Sequence, residues 1–386
     1  MTEGLIVFFK YCRVLLFQVI FKEMSYSGKI ETNTFGILTA GGDCPGLNAA
    51  IRGVCRAAYD RYHMKILGIA GGYRGLINGN LQPLQPKDFS GILTRGGTIL
   101  GTSREKPFKS KEIGEDKVKA IKENYYKHKL DALVVVGGNG TNTTGYLLAQ
   151  EGLNVLGLPK TIDNDIEGTE RSFGFHSALA ICTDAIDRLH SIAESHNRVM
   201  VIETMGHKTG WLALHSGVAG GGDVILIPEI PYDIKHIALH LKKRAESGKS
   251  FSIVVVAEGS LSVEEAKMDK KDRKIFRSTL GMPSIGYRVA QEIKNETGME
   301  TRSTVLGYVQ RGGIPSASDR VLATRYGTTA VDMLARGEYG KMVTLAGNEI
   351  NSVDLSVPAG KTRYVPLDDP MLDTALAVGT CLGAGE

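Results

Sequence analysis

The sequence predicts an α/β fold with two Rossmann-like three-layer αβα lobes, in which the sheets are mostly parallel. Short apolar segments alternate with amphipathic segments from Phe35 onward, as strands and helices do in such folds. Residues 253–256 are apolar throughout, which is typical of a strand that helices cover on both faces of the sheet. A length of 386 residues is sufficient for two lobes.

The alternation predicts the order of the elements along the chain. Helices are predicted where apolar residues recur every three or four positions, and strands where β-branched residues cluster. The predicted strands are 35–39, 65–70, 132–136, 154–158, 198–204, 223–227, 251–257, 301–307 and 341–346. The predicted helices are 46–61, 115–128, 174–193, 234–247, 284–297 and 317–336.

The first residues differ in composition from the rest of the chain. Residues 5–21 are mostly apolar, but Lys10 and Arg13 interrupt them, and no uninterrupted run approaches the roughly 20 residues of a membrane span. No small-residue cleavage site follows, which argues against a signal peptide. We expect residues 1–34 to be an N-terminal extension outside the fold, with an interfacial membrane anchor as the alternative.

Charge and cysteine content exclude several classes of function. The formal net charge of +4 is too small to indicate a nucleic-acid partner, and basic and aromatic residues do not interleave as in single-strand binding proteins. The five cysteines form no C-x-x-C pair and no zinc spacing, which suits a reducing compartment. We therefore expect a cytoplasmic protein with no nucleic-acid and no membrane partner.

Two carboxylates follow the apolar segment 154–158. Asp163 and Asp165 are two residues apart, and in an extended backbone both side chains leave on the same face. One carboxylate can take a proton from a hydroxyl while the other holds a cation or fixes the geometry. This pair is the candidate catalytic centre.

Glycine-rich turns follow two other predicted strands. Residues 41–42 and 137–138 are Gly-Gly pairs, which let backbone amides approach an anion at a helix N-terminus. The sequence around them fits neither the dinucleotide fingerprint nor the P-loop fingerprint. A phosphate site beside a carboxylate pair indicates phosphoryl transfer to an alcohol.

Arginines recur in the polar loops and are candidates for phosphate contacts. A guanidinium group matches phosphate oxygens in a bidentate manner, although a single surface arginine is more often a solvated charge. The candidates are Arg104, Arg198, Arg302 and Arg311. The last two lie on either side of residues 305–310, which lead into another Gly-Gly pair.

Seven motifs, in this order, resemble those of the 6-phosphofructokinase family, and the resemblance runs from Phe35 to about residue 347. The motifs are TAGGDCPGLN at 39–48, GGNGT at 137–141, PKTIDND at 159–165, SHNR at 195–198, ETMGHKTG at 203–210, AEG at 257–259 and TVLGYVQRGG at 304–313. The resemblance implies that Asp163 takes the proton of the sugar 1-hydroxyl. Thr161, Asp165, Gly42 and Arg198 are the other implied catalytic residues.

The resemblance also implies the binding residues. Contacts to the nucleotide are expected from Gly42, Arg104, Gly138, Asn139, Gly140, Thr141 and Lys160. Contacts to fructose 6-phosphate are expected from Thr161, Asp163, Arg198, Met205, Gly206, Glu258, Arg302, Tyr308 and Arg311. Asn139 and Asp165 are the expected residues for Mg²⁺. Some of the arginines reach a neighbouring subunit in this family, which implies a homodimer or homotetramer.

Four positions depart from the common family pattern. Asn139 replaces an aspartate that helps to hold Mg²⁺, and Tyr308 replaces a histidine of the sugar pocket. Gly140 is typical of ATP users, whereas Lys160 is typical of pyrophosphate users and of a mixed-substrate branch that includes ATP enzymes. We therefore expect an ATP-dependent enzyme of the mixed-substrate branch, close to the pyrophosphate-dependent enzymes.

The expected reaction is transfer of the terminal phosphoryl group of ATP to the 1-hydroxyl of D-fructose 6-phosphate. Pyrophosphate is the alternative donor, and a non-catalytic sugar-phosphate-binding subunit is the alternative of another class. Residues 35–174 with about 310–360 are the expected phosphoryl-donor lobe. Residues 175–309 with about 361–386 are the expected sugar-phosphate lobe.

Overall fold

The computed structural model of the protein describes residues 29–108 and 111–384. Its strands are β1 Thr34–Ala40, β2 Lys65–Ile69, β3 Leu81–Pro83, β4 Ala132–Gly137, β5 Val155–Thr161, β6 Phe173–Gly174, β7 Val199–Thr204, β8 Val224–Leu226, β9 Ser252–Ala257, β10 Thr301–Val305, β11 Lys341–Ala346 and β12 Glu349–Asp354. Its helices are α1 Leu47–Tyr62, α2 Gly72–Asn78, α3 Lys111–Lys127, α4 Asn139–Gln150, α5 Phe175–His196, α6 Trp211–Ala219, α7 Ile234–Glu246, α8 Val263–Ala266, α9 Lys270–Thr279, α10 Ile285–Thr297, α11 Ala317–Arg336 and α12 Pro370–Ala377, with a 3₁₀ turn at Gly307–Arg311.

The larger sheet has the strand order β12-β11-β5-β4-β1-β2-β3, and β6 pairs with β5. The strands from β11 to β2 are parallel, whereas the edge strands β3 and β12 are antiparallel to their neighbours. The four central strands are apolar because helices cover both faces. Val134 and Val136 of β4 pack with helices α1 and α11 on one face, whereas Leu133 and Val135 pack with α2 and α3 on the other.

The smaller sheet has the order β10-β7-β9-β8, and all of its strand pairs are parallel. Alternate residues of β9 pack into two separate cores. Ile253 and Val255 lie in the core formed with helices α5 and α6, whereas Val254 and Val256 lie in the core formed with α7 and α10. Two mostly parallel sheets, each between helical layers, confirm the predicted fold class.

The carboxyl ends of five parallel strands position the loops that carry the predicted motifs. Ala40, Gly137 and Thr161 end β1, β4 and β5 of the larger sheet, and Thr204 and Ala257 end β7 and β9 of the smaller sheet. Ligands of open α/β sheets bind at this end of the strands.

We propose that the boundaries expected from the sequence divide the two lobes. Strands β11 and β12 pair within the larger sheet, whereas Leu372 and Leu382 pack into a core of the smaller one. Thr32 is buried and its hydroxyl donates to the carbonyl of Leu334 at 2.8 Å, so the described chain contacts the larger lobe before β1 begins. Residues 1–28 of the expected N-terminal extension lie outside the described residues. Among the described helices, none is long and apolar enough to cross a membrane.

Candidate active site

A cleft of about 450 Å³ lies between the carboxyl ends of the two sheets. Residues that follow β1, β4 and β5 form one side, and residues that follow β7 and β9 form the other. The cleft brings together thirteen of the residues predicted from the sequence: Gly42, Arg104, Gly138, Asn139, Gly140, Thr141, Lys160, Thr161, Asp163, Asp165, Met205, Glu258 and Arg311.

Asp163 is the buried carboxylate at the centre of this constellation. It is 8% exposed, and its Oδ1 atom is buried without a hydrogen-bond partner. The loop is fixed through its backbone, since the Asp163 amide donates to Thr161 Oγ1 at 3.0 Å and Thr209 Oγ1 donates to the Asp163 carbonyl at 3.3 Å. Burial, followed by the charge of Asp165, raises the pKa of the Asp163 carboxyl to about 6. The carboxyl can therefore accept a proton near neutral pH.

Asp165 and Asn139 form an oxygen-rich pair beside Asp163. The Asn139 side-chain amide donates to Asp165 Oδ2 at 2.9 Å and to the Asp165 carbonyl at 3.0 Å, which leaves Asn139 Oδ1 buried without a partner. Burial raises the pKa of Asp165. Two carboxylates and an amide oxygen are hard ligands that suit Mg²⁺, which keeps several waters and binds substrate phosphates as well. In the described residues, no group of three or more His, Cys, Asp or Glu side chains could hold a metal by itself.

The glycine turns expose backbone amides to the cleft. Helix α4 begins immediately after Gly138, and no side chain caps its N-terminus, so the amides of its first two residues are available to bind an anion. Gly41 has a φ of +83°, a conformation that favours glycine. A Cβ atom on Gly42 would lie 2.8 Å from the Arg311 guanidinium, whereas a Cβ atom on Gly140 would meet nothing within 4 Å.

Two cations line the cleft next to these turns. The Lys160 ammonium is buried and donates to the carbonyl of Gly42, and burial lowers its pKa. Arg311 Nη1 donates to the carbonyl of Asp43 at 3.3 Å, and its Nε is buried without a partner. Both groups can therefore provide positive charge for phosphate oxygens that enter the cleft.

Residues of the smaller lobe complete the opposite side. Glu258 Oε1 accepts from the His207 amide at 2.8 Å, and the Met205 amide donates to Gln310 Oε1 at 3.0 Å. Gly206 lies between them with a φ of +142°, and a Cβ atom there would lie 2.5 Å from the carbonyl of Thr209. Glycine is therefore required for the turn, although Gly206 itself does not line the cleft.

Three other predicted sugar contacts lie outside the cleft of this chain. Arg198 Nη2 and Arg302 Nη2 both pair with Glu300 Oε1, at 2.8 and 2.6 Å. Tyr308 is 75% exposed on the 3₁₀ turn. Arg302 is about half exposed, whereas Arg198 is partly buried and its Nε atom has no hydrogen-bond partner.

The cleft also contains residues that were not among the predicted catalytic and binding residues, although Gly41 belongs to one of the predicted glycine turns. They are Ala40, Gly41, Tyr73, Ser103, Glu105, Lys106 and His207. Ser103, Glu105 and Lys106 adjoin Arg104 on one polar loop, and His207 lies within the ETMGHKTG motif. These four residues could have been predicted from their proximity in the sequence to Arg104 or to the motif residues.

The model of the family described as phosphofructokinase matches residues 34–334. The chain belongs to the phosphofructokinase family. This membership confirms the resemblance inferred from the motifs. The match ends before β11, so the family region excludes the last 52 residues of the chain.

Curated relatives cover nearly the whole chain. An ATP-dependent 6-phosphofructokinase of Spirochaeta thermophila is 65% identical over 92% of this chain and 98% of its own length. ATP-dependent 6-phosphofructokinase 3 of Bacteroides thetaiotaomicron is 51% identical over 90% of this chain and 99% of its own length. A pyrophosphate–fructose 6-phosphate 1-phosphotransferase of Amycolatopsis mediterranei is 45% identical over 86% and 96%. The family therefore includes users of both donors among similar sequences.

Solved structures of the family share the fold. The phosphofructokinase of Saccharomyces cerevisiae matches with a TM-score of 0.73 and 30% identity, over 84% of this chain. This chain spans 45% of the length of that yeast chain.

Proposed function

We propose that this chain is an ATP-dependent 6-phosphofructokinase, which transfers the terminal phosphoryl group of ATP to the 1-hydroxyl of D-fructose 6-phosphate. The observation that carries the proposal is the unpaired, buried Oδ1 of Asp163 in a cleft between glycine turns and a second lobe. Family membership and 65% identity to an ATP-dependent enzyme support the same reaction.

The proposed reaction is an attack by the sugar oxygen on the terminal phosphorus of ATP. The bond between that phosphorus and the β–γ bridging oxygen of ATP breaks, the new bond to the sugar oxygen forms, and the hydroxyl proton passes to Asp163. Phosphoryl transfer depends mainly on positioning and on stabilising negative charge. Lys160, Arg311 and the first amides of α4 supply such stabilisation beside the base.

Mg²⁺ fits the oxygen atoms beside Asp163. Asn139 and Asp165 would hold the ion or its waters, and Asn139 Oδ1 is a buried acceptor without a partner. When bound, Mg²⁺ neutralises charge on the transferring phosphates. An amide in place of a carboxylate lowers the charge of the site, so we expect weaker Mg²⁺ affinity than an aspartate would give.

The donor is inferred from Gly140. An added Cβ atom at this position would enter open space in the cleft, so glycine leaves room there for a nucleotide phosphate. Pyrophosphate is the second candidate donor, since Lys160 lines the same cleft and a relative that is 45% identical carries a pyrophosphate-dependent name. A non-catalytic sugar-phosphate-binding subunit is disfavoured because Asp163 and Asp165 are both retained and adjacent to the anion site.

The sugar phosphate is proposed to bind near Met205, Glu258 and Arg311. Arg198 and Arg302 are directed to Glu300 within this chain, so we infer that they serve the cleft of a neighbouring subunit in a homodimer or homotetramer. The apolar side chains of Val309, in the 3₁₀ turn, and of Ile314, three residues after it, are exposed, as expected of an interface between copies.

Initial rates with ATP–Mg²⁺ and with pyrophosphate–Mg²⁺, at saturating fructose 6-phosphate, test the proposal. We expect fructose 1,6-bisphosphate and ADP to form with ATP, at a rate well above that with pyrophosphate. Turnover with pyrophosphate and none with ATP would assign the other donor. No bisphosphate from either donor would reject the enzyme.

A further inference from the structure

The C-terminal strap, defined as residues 356–384, leaves the larger sheet after β12 and crosses to the smaller lobe. It lies outside the family region at residues 34–334. Leu372 and Ala375 of α12 pack in the core with α5 and α6, and the backbone of Cys381 bridges to Val224 of β8. On its way the strap passes behind the loop that carries Asp163 and Asp165.

Arg363 of the strap binds the backbone of this catalytic loop at two successive residues. Its amide donates to the carbonyl of Asp165 at 2.9 Å. Its side-chain Nη1 donates to the carbonyl of Asn164, also at 2.9 Å. Asn164 has a φ of +52°, in the left-handed region that asparagine adopts more readily than most other residues, and its side chain also bonds the Glu170 carbonyl and the Ser172 amide. The two bonds from Arg363 therefore act on the turn that separates the two aspartates.

Trp211 holds the Arg363 side chain in this orientation. The guanidinium carbon lies 4.1 Å from the centroid of the indole ring, and the indole N–H donates to the Arg363 carbonyl at 2.9 Å. Glu229 Oε1 connects the strap to the residue before Trp211, since it accepts hydrogen bonds from the amides of Gly210 and Val365 at 3.1 and 2.9 Å. The strap is thus fixed to the smaller lobe at Arg363 itself and at a residue two positions after it.

We propose that Arg363 is a positioning residue for phosphoryl transfer, which sets the conformation of the turn at Asn164 and thereby the directions of the Asp163 and Asp165 side chains. This inference rests on the proposed function. Arg363 is not among the residues that line the cleft, so it acts through the loop and makes no contact with substrate. A small error in the placement of a reacting group can lower the rate of the chemical step by roughly 100-fold. The loss of the Arg363 side chain should therefore lower kcat.

Arg363→Met and Arg363→Lys test this role, with Arg325→Met as a matched control. Arg325 also donates to a backbone carbonyl, that of Asn348 at 2.6 Å, but it is outside the cleft. We expect Arg363→Met to lower kcat by roughly 10- to 100-fold with both KM values within about threefold of wild type. Arg363→Lys should recover part of kcat because an ammonium can reach one carbonyl. Added guanidinium ion at millimolar concentration should raise kcat of Arg363→Ala, whose shortened side chain leaves room for the ion, and not that of Arg325→Ala.

Hydrogen exchange of the amides in residues 158–168 provides a readout independent of catalysis. We expect faster exchange there in Arg363→Met and wild-type exchange in Arg325→Met. Unchanged exchange, or faster exchange with wild-type kcat, would overturn the positioning role. An increase in KM alone would also overturn it. If wild-type protein makes no fructose 1,6-bisphosphate, the proposed function fails first, and the exchange result still shows whether Arg363 holds the loop.

Discussion

At the scale of single residues, the environment of Asp163 decides how it can act as a base. An aspartate in water has a pKa of about 3.9. Burial and the neighbouring charge of Asp165 raise the pKa of Asp163 to about 6. Burial disfavours the ionised carboxylate because it removes water, and Asp165 disfavours a second negative charge beside its own. The carboxyl is still mostly ionised at pH 7, and its higher basicity favours proton transfer from an alcohol.

The pH dependence of kcat/KM should therefore have an acid limb near pH 6. Below this pH Asp163 is protonated in the free enzyme and cannot accept the hydroxyl proton, so kcat/KM for fructose 6-phosphate should fall about tenfold per pH unit. Initial rates between pH 4.5 and 8 measure this limb. An activity that is flat down to about pH 4 would contradict the raised pKa.

The phosphate of the substrate titrates in the same range, with a second pKa near 6, so a control is needed. Asp165→Asn removes the charge that raises the pKa of Asp163. The acid limb of its residual activity should move to lower pH, whereas a limb due to the substrate should stay in place.

At the scale of elements, we propose that the first turn of α4, which contains Gly140, determines the choice of donor. Gly140→Asp places a carboxylate in the cleft where nothing lies within 4 Å of the Cβ position, so it would face the phosphates of a nucleotide bound as proposed. Like charges at such a contact cost several kcal/mol, so kcat/KM for ATP should fall by on the order of 100-fold or more. Steady-state kinetics with varied ATP measure the effect.

Gly140→Ala is the matched control for this turn. It adds the Cβ atom without charge, and alanine favours the helix that begins here. ATP turnover should be largely retained, and both variants should melt at or above the wild-type temperature, since an acidic residue in the first turn also suits the helix dipole. If kcat/KM for ATP falls equally in both variants, the added bulk of the side chain and not its charge explains the effect.

Sequence patterns predicted the elements with strong periodicity. All nine predicted strands and all six predicted helices have counterparts within a few residues of the expected bounds. Helix α6 was missed because it is apolar on nearly all sides and buried, so no amphipathic pattern marks it. Strands β3 and β6 span three and two residues, which is too short for an alternating pattern.

The candidate site was predictable where motifs lie at strand ends, since topology brings those ends together. Asp163, Gly140 and Lys160 meet in one cleft for this reason. Arg363 was not predictable, because it belongs to no motif and contacts a carbonyl 199 positions earlier in the chain. Such a contact depends on the path of the strap across the two lobes, which local patterns do not encode.

At the scale of the whole molecule, we propose that a neighbouring chain completes the sugar site of the described chain. Arg302 is half exposed and pairs with Glu300 on the surface, and Arg198 pairs with the same carboxylate. Partly exposed ion pairs of this kind contribute little to stability, so under this proposal the arginines can exchange Glu300 for a phosphate bound in the adjacent subunit.

Mixing two inactive variants tests this shared site. Asp163→Asn chains and Arg302→Ala chains should each have little activity alone. After denaturation and joint refolding in equal amounts, hybrid dimers contain one site with both native residues, so about a quarter of wild-type activity should return. If the mixture is only as active as the two variants refolded separately and added together, each chain uses its own Arg302.

The account depends most on Asp163 as the base, and the turnover of Asp163→Asn tests it most directly. We predict that kcat with ATP–Mg²⁺ falls by roughly 10²- to 10⁴-fold. Fructose 6-phosphate should bind with wild-type affinity by calorimetry, and the melting temperature should not fall, because the substitution removes a buried charge. Wild-type turnover in a folded Asp163→Asn protein would contradict the account.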